Sequence, residues 1–350
     1  MNTESKYVVD FDIKLAEIIA ETKYMEALGF MVPELARNVA LQEEKYIHYV
    51  DGLSRMLFRY HALLASLDHA EAALLDDHQR DLRRMLRPGA KRLNWNSLGI
   101  NDYIAKCESA IAKFESLVNQ IQKNARDINQ RLGMIEHANM FKAPKPKYPG
   151  HLPACKEYYE HIEQERVKDL EIMARKYRAI GPLLTKMEGL VVNTNTGRSP
   201  KLARYYAYWE RKVFEALTKM ISNNLQRFAV SLKTAKPLFQ VETLLAPPDV
   251  VLHPQANEVY KLTLQCVRDC VEGSKSFVRW MNGSCLECKP QKVEGEDDLF
   301  VFSFFTDIAM NPDIIELVQR VQNDIKQTLT TLQRYLTRWK KYRNIWKVEK

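Results

Sequence analysis

Apolar residues recur at spacings of three and four through most of this chain, the period of helices that bury one stripe. Phe11, Leu15, Ile18, Ile19 and Met25 place a first helix at about Asp10 to Leu28, and Gly29 with Pro33 breaks it. A second helix is expected from Pro33 to about Leu67, with Leu53, Leu57, Tyr60 and Leu64 as its stripe, and a third ends near Arg87, where Pro88-Gly89 stops it. The strongest signal comes next. Ile104, Cys107, Ile111, Phe114, Val118, Ile121, Ala125, Ile128, Leu132 and Ile135 alternate three and four without interruption, a heptad seam about 45 Å long at the rise of an α-helix.

Three prolines in Ala143-Pro-Lys-Pro-Lys-Tyr-Pro-Gly150 forbid helix and mark a linker. The expected organisation is therefore a helical bundle over 1–142, a linker over 143–150 and a second helical bundle over 151–350. Helix resumes from about Pro153 to Val192, with a bend at Gly181-Pro182, and again from Lys201 to Leu232. The cluster Tyr205, Tyr206, Tyr208 and Trp209 on that helix cannot all face one side. Residues 239–252 change pattern around Pro247-Pro248 and predict two short extended segments. Helix returns from Glu258 to Met281, a loop is expected from Cys285 to Leu299, and Phe300 to Phe305 reads as strand. Asn311 as N-cap and Pro312 at the first helical position open the last helix. Its seam, Ile314, Val318, Val321, Ile325, Thr328, Leu332, Tyr335, Trp339, Tyr342 and Trp346, predicts aromatic residues buried against other helices. The fold class is mainly α: elongated tandem helical bundles with long heptad-patterned helices and a few short strands.

Composition supports this picture. In 350 residues only 12 glycines and 14 prolines occur, too few for a turn-rich sandwich or barrel. With 46% hydrophobic and 27% charged residues the chain can bury a sizeable core. Seven Lys or Arg against one acid lie between Arg334 and Lys350, so much of the net charge of +8 sits at this end. There is no run of eighteen apolar residues and no signal-peptide pattern at the start, which predicts a protein kept inside the cell.

The sequence lacks Gly-Lys-Ser/Thr after a glycine-rich loop, Gly-x-Gly-x-x-Gly and Gly-x-Ser-x-Gly, so those nucleotide and hydrolase chemistries have no residues to carry them. Cys266 and Cys270 with Cys285 and Cys288 offer four thiolates for zinc, but the first pair has the i, i+4 spacing of core positions, and the six cysteines read as reduced. Adjacent acids such as Asp76-Asp77 and Asp297-Asp298 cannot share a pocket on a regular element, and the histidines form no His-Glu-x-x-His. The expectation is no enzyme activity, no cofactor and no metal. The basic-aromatic end suits nucleic acid or a membrane surface in composition, yet its aromatics lie on the heptad seam, so neither partner is expected.

Three separated stretches carry more than composition: Leu93-Asn-Trp-Asn-Ser-Leu-Gly-Ile100, Phe277-Val-Arg-Trp-Met-Asn-Gly283, and Arg334-Tyr-Leu-Thr-Arg-Trp-Lys-Lys-Tyr-Arg-Asn-Ile-Trp-Lys347. In order and spacing they resemble the tail of dynein heavy chains, axonemal type, over nearly the whole chain. A Pro-Pro-Asp-Val-Val element precedes the second stretch and Phe302-Ser-Phe304 precedes Asn311-Pro312; Asn344-Ile345 before Trp346 is a small departure. The resemblance implies a structural stem segment of a ciliary microtubule motor, located on the cytoskeleton of the axoneme. It implies heavy-chain association and binding of dynein intermediate and light chains, with the motor ATPase outside this sequence. Trp95, Trp209, Trp280, Trp339 and Trp346 are the expected structural anchors of the bundles. A stand-alone motorless helical adaptor that binds dynein accessory chains is the alternative, and sequencing the transcript across the codon for Lys350 separates the two. Less favoured are an ATPase fragment completed by a second chain and a nucleic-acid binder.

Overall fold

The computed structural model describes residues 6–191, 200–234, 237–246, 249–280, 291–292 and 300–343. Twelve α-helices and two two-stranded antiparallel sheets lie within them, a mainly α fold as the periodicity predicts. The chain separates into two compact units, one of Met1–Lys123 with Gly189–Leu202 and one of Asn124–Glu188 with Ala203–Lys350. This division falls inside three helices. The proline-rich segment 143–150 is exposed and non-helical, and it lies within the second unit.

In the first unit α1 (Ile13–Ala27) starts where the Asp12 carboxylate accepts from the Lys14 amide, an N-cap that satisfies an otherwise orphaned donor. The single helix expected from Pro33 is two, α2 (Glu34–Ala40) and α3 (Glu43–Ala65), broken at Leu41-Gln42. The break lets Ala40 and Tyr46 both pack on Ile19 of α1, which one straight helix could not arrange. After α4 (His69–Leu74), opened by an Asp68/Glu71 capping box, α5 runs Asp76–Lys91 and passes through Pro88-Gly89. The expected stop there is corrected: the helix continues to Lys91. A proline inside a helix leaves the carbonyl four residues earlier, here that of Arg84, without its donor. In the same turn the Tyr103 hydroxyl donates to the Leu86 carbonyl at 2.8 Å, and the Cys107 thiol lies 3.7 Å from the Met85 carbonyl, both extra contacts to another helix. Burial pushes the Tyr103 hydroxyl pKa up, so it stays a donor.

Gly89 admits that tyrosine. A Cβ at this position would collide with the Tyr103 ring and hydroxyl. Gly89→Ala is expected to destabilise the first unit by about 1–3 kcal/mol, the range for overpacking, despite alanine's better helix propensity. A raised or unchanged urea midpoint would show that Tyr103 moves aside at no cost.

The long seam is realised in α6 (Ile100–Glu136), where all ten predicted positions are buried. In the second unit α7 (Cys155–Arg178) and α8 (Gly181–Val191) bend at the predicted Gly181-Pro182 step, and α9 spans Pro200–Lys233. Strands β1 (Glu242–Ala246) and β2 (Asp249–His253) form a hairpin in the register Leu244 with Val251. Val250 and Leu252 point inward from it, as a period of two requires. The helix expected to reach Met281 ends earlier: α10 covers Ala256–Glu272, a 3₁₀ turn follows at Gly273–Ser276, and residues 277–279 are extended. Cys266 and Cys270 are buried free thiols on α10; Cys285 and Cys288 lie outside the described residues.

Strand reading of residues 300–305 holds in part. Phe300–Val301 (β4) pairs with Gln291–Lys292 (β3), but α11 (Phe305–Ala309) begins at Phe305. The last helix, α12 (Pro312–Lys340), opens as predicted, with the Asn311 side chain accepting from the Asp313 amide. Its seam is buried at Ile314, Val321 and Ile325 and then emerges. Tyr335, Trp339 and Tyr342 are 42%, 36% and 52% exposed, so the expectation that all three are buried is not met. Packing along this stretch is partial: Leu332 of the same seam joins the core around Tyr158 and Tyr159, and Lys340, on another side, pairs with Asp249 of β2.

Candidate functional site

For a chain whose sequence points to packing rather than chemistry, the candidate site is the set of places where aromatic anchors join segments. Trp95 sits in the turn before α6 and is half-buried. Its indole N–H donates to the Asp10 carbonyl at 3.0 Å, and its ring meets Phe11 edge-on at 5.1 Å. The asparagines on either side hold the turn: Asn94 accepts from the Asn96 amide, and Asn96 accepts from the Tyr46 hydroxyl at 3.0 Å. Gly99, at a φ of 85°, supplies the left-handed residue that lets α6 start immediately after. The Trp95 stretch thus ties the extended residues before α1 to α3 and α6 and walls a 490 Å³ cleft with Met56, Leu86 and Tyr103.

Trp209 lies on α9, 2% exposed, with edge-on contacts to Tyr205 at 6.1 Å and Tyr208 at 5.3 Å. Tyr205 and Trp209 share a buried face, whereas Tyr206 and Tyr208 are only half-buried, as helical spacing requires. Beside Trp209 on the chain, Glu210 is fully enclosed and takes part in a buried charge network of the second unit. The Arg279 guanidinium lies 3.6 Å from Glu210, also pairs with Asp307 of α11, and sits 4.4 Å over the Phe304 ring. Arg279 and Glu210 side chains are 0% and 1% exposed.

Two sequence stretches make this possible by pairing with each other. The Arg279 amide donates to the Phe302 carbonyl at 2.7 Å, the Phe304 amide donates to the Phe277 carbonyl at 3.2 Å, and Val278 bridges Ser303. Trp280 stacks on Tyr177 of α7 at 5.2 Å, and the Tyr177 hydroxyl donates to the Val278 carbonyl. Burial pushes the Tyr177 pKa up, helped by the Glu210 carboxylate and opposed by Arg279, which keeps the hydroxyl a donor. The extended backbone at 277–279, where helix was expected, is what aims Arg279 inward and Trp280 onto α7. A further tie is Asn224 of α9, whose side chain accepts from the Met140 amide and donates to the Ala138 and Met220 carbonyls, each at 2.8 Å.

The structure therefore places Trp95 and Trp280 in segment-joining contacts, buries Trp209 on α9 beside Tyr205 and Tyr208, leaves Trp339 on an exposed face, and Trp346 lies outside the described residues. Sequence reading did not find Glu210, Arg279, Asp307, Tyr177 or Asn224. The one available signal was an arginine inside the otherwise apolar Phe277-Val-Arg-Trp280. Its partners lie far away in sequence, so periodicity could not identify them.

Buried heptad seams and aromatic locks between helices define a helical scaffold, a protein whose working parts are its packing contacts. A family model described as dynein heavy chain, N-terminal region 1, matches residues 1–103. Over 98% of its length the chain is 55% identical to human dynein axonemal heavy chain 10 and 38% identical to the dynein-1-alpha heavy chain of the flagellar inner arm I1 complex of Chlamydomonas reinhardtii. At 24% identity, again over 98% of the chain, it resembles the dynein gamma chain of the flagellar outer arm of the same alga. In each comparison it spans about 8% of the relative's length. Over nearly its whole length the chain is similar to the tail region of axonemal dynein heavy chains.

Proposed function

We propose that this chain is a structural stem segment of an axonemal dynein heavy chain, acting in the ciliary axoneme as part of a microtubule motor complex. It scaffolds heavy-chain association and the binding of intermediate and light chains, and it performs no catalysis itself. The observation that carries this reading is 55% identity over 98% of the chain to an axonemal heavy chain. The physical support is stiffness: force passes along long packed helices, and α6 buries all ten of its seam positions. Trp95, Trp209, Trp280 and Trp346 are the proposed anchors of this scaffold, and the exposed segment 143–150 is its proposed bend.

The test is expression of the tagged chain in ciliated cells, followed by fractionation and identification of what co-purifies. Recovery with axonemal dynein intermediate or light chains is the expected result. Recovery only as a free soluble monomer, with no dynein subunit, would sink the assembly reading. A titration of the isolated protein with ATP is expected to show no saturable binding. Saturable, magnesium-dependent binding in the micromolar range typical of substrates, about 1 μM to 1 mM, would sink the non-catalytic reading.

A further inference from the structure

Asp76 and Asp77 open α5 side by side. Adjacent residues of a helix stand about 100° apart, which argues against a shared pocket. Both carboxylates nevertheless meet one ammonium, because the partner is a long side chain from another element: Lys201 Nζ, in the first turn of α9, lies 2.9 Å from Asp76 Oδ2 and 2.8 Å from Asp77 Oδ1. All three residues belong to the first unit. One turn along α5, Arg80 competes for the same acids, 3.2 Å from Asp76 and paired with Asp77 as well. The Lys201 hydrogen bonds, opposed by some desolvation and helped by Arg80, hold both carboxyls below the usual carboxylate range, and His78 adds to the attraction at Asp77. The two cations differ in what they join: Arg80 stays within α5, whereas Lys201 ties α5 to a helix that begins 124 residues after it begins, at Pro200.

We propose that Asp76, Asp77 and Lys201 form a clasp between the start of α5 and the first turn of α9 that opens and closes with ionic strength, Arg80 holding the acids when it is open. A joint can switch only if its two states lie close in free energy, and three features bring them close. Opening strands no charge, since Arg80 remains three and four residues from the two acids and the N-terminal end of α5 favours carboxylates. The released ammonium meets water, because the Lys201 side chain is 27% exposed and that of Asp77 62%. Exposed pairs of this kind move an equilibrium by only about 1.5- to 5-fold, and salt reverses so small a bias as the screening length shortens from about 10 Å at 0.1 M to about 3 Å at 1 M. The enclosed Arg279–Glu210 pair of the second unit has none of these features and cannot serve in this way. Acid is a poor trigger here: the carboxylates stay ionised until the pH falls below 3.8, so at neutral pH salt sets the clasp. Opening frees the contact with α5 without unravelling α9, whose first turns keep the buried Leu202 and the Tyr206 hydroxyl bond to Glu188 of α8 at 3.2 Å. The inference does not depend on the stem assignment.

The experiment treats the full chain with a water-soluble carbodiimide, which joins a lysine to a touching carboxylate without a spacer, and measures the linked peptides by mass spectrometry. The Lys233–Asp324 pair of the second unit, 3.0 Å apart with Asp324 9% exposed, is the internal reference, since a largely enclosed acid is screened less. Relative to that reference, the yield of Lys201 linked to Asp76 or Asp77 is expected to fall about 1.5- to 5-fold between about 0.05 M and about 1 M sodium chloride. Arg80→Ala removes the competitor, so it should raise the yield at each salt concentration and leave the urea midpoint in place. Lys201→Gln should lower the hydrogen-exchange protection of the first turns of α9 by about the same 1.5- to 5-fold at low salt and abolish its salt dependence. The proposal is overturned if no link forms at low salt or if the relative yield is the same at both salt concentrations. It is equally overturned if Arg80→Ala leaves the yield unchanged or lowers it, because the pair is then a fixed contact with no second state, or if Lys201→Gln protects α9 as well as the parent does.

Discussion

Arg279→Met is expected to cost about 3–5 kcal/mol, because it removes the enclosed guanidinium that pairs with Glu210 and Asp307. The expectation follows from burial. Arg279 is enclosed, Glu210 is 1% exposed, and Asp307, 16% exposed, can recover some hydration by a small movement. Losing the opposite charge at 3.6 Å leaves the enclosed Glu210 carboxylate with less compensation for its desolvation, which lowers stability. Removing both buried charges is therefore expected to be milder than removing one. Glu210→Leu combined with Arg279→Met leaves no charge in the enclosed part of the site and should recover more than half of the single-variant loss. Urea unfolding of the three proteins gives the ranking. If Arg279→Met unfolds at the parent's midpoint, the pair is not a lock. Hydrogen exchange adds a local readout: in Arg279→Met the amides of Arg279 and Phe304, which bond to Phe302 and Phe277, should lose protection before the rest of the second unit.

That network also marks the limit of reading the chain as a string. Local rules did well where one residue type decides a local outcome. The Asn311-Pro312 start of α12, the Gly181-Pro182 bend and the unbroken α6 seam were all legible, because cap geometry, proline's fixed φ and the heptad period act within a few residues. They did less well where a distant side chain changes the local answer. Pro88 stays inside α5, where Tyr103, on another helix, donates to the Leu86 carbonyl and fits against Gly89. Residues 277–279 leave the helical path because their backbone pairs with Phe302 and Phe304 and their arginine reaches Glu210 and Asp307. The resemblance found the stretch Phe277-Val-Arg-Trp280 through its tryptophan; the arginine beside it holds the buried charge. Heptad spacing, finally, says which side chains share a face but not whether a neighbour is present. Ile325 and Trp339 lie on one seam, and only the first is buried.

The tryptophans separate these two situations by experiment. Trp209→Ala is expected to cost about 3–5 kcal/mol, the range for emptying a large aromatic site in a core that relaxes only partly. Trp339→Ala is expected to change stability by no more than about 0.5 kcal/mol, as for exposed positions away from special features. The loss at Trp209 should come from volume and contact rather than from a hydrogen bond, since its buried indole N–H meets no acceptor among the described residues. Trp209→Phe tests this directly. Phenylalanine keeps an aromatic ring near Tyr205 and Tyr208 and gives up no bond, so it should cost about 1–2 kcal/mol, well short of alanine. Thermal and urea unfolding decide the order. Should Trp209→Ala and Trp339→Ala prove equally mild, neither tryptophan anchors the scaffold. If Trp209→Phe is instead as damaging as Trp209→Ala, the indole N–H has a partner that its surroundings do not reveal, and the contact picture of α9 must change.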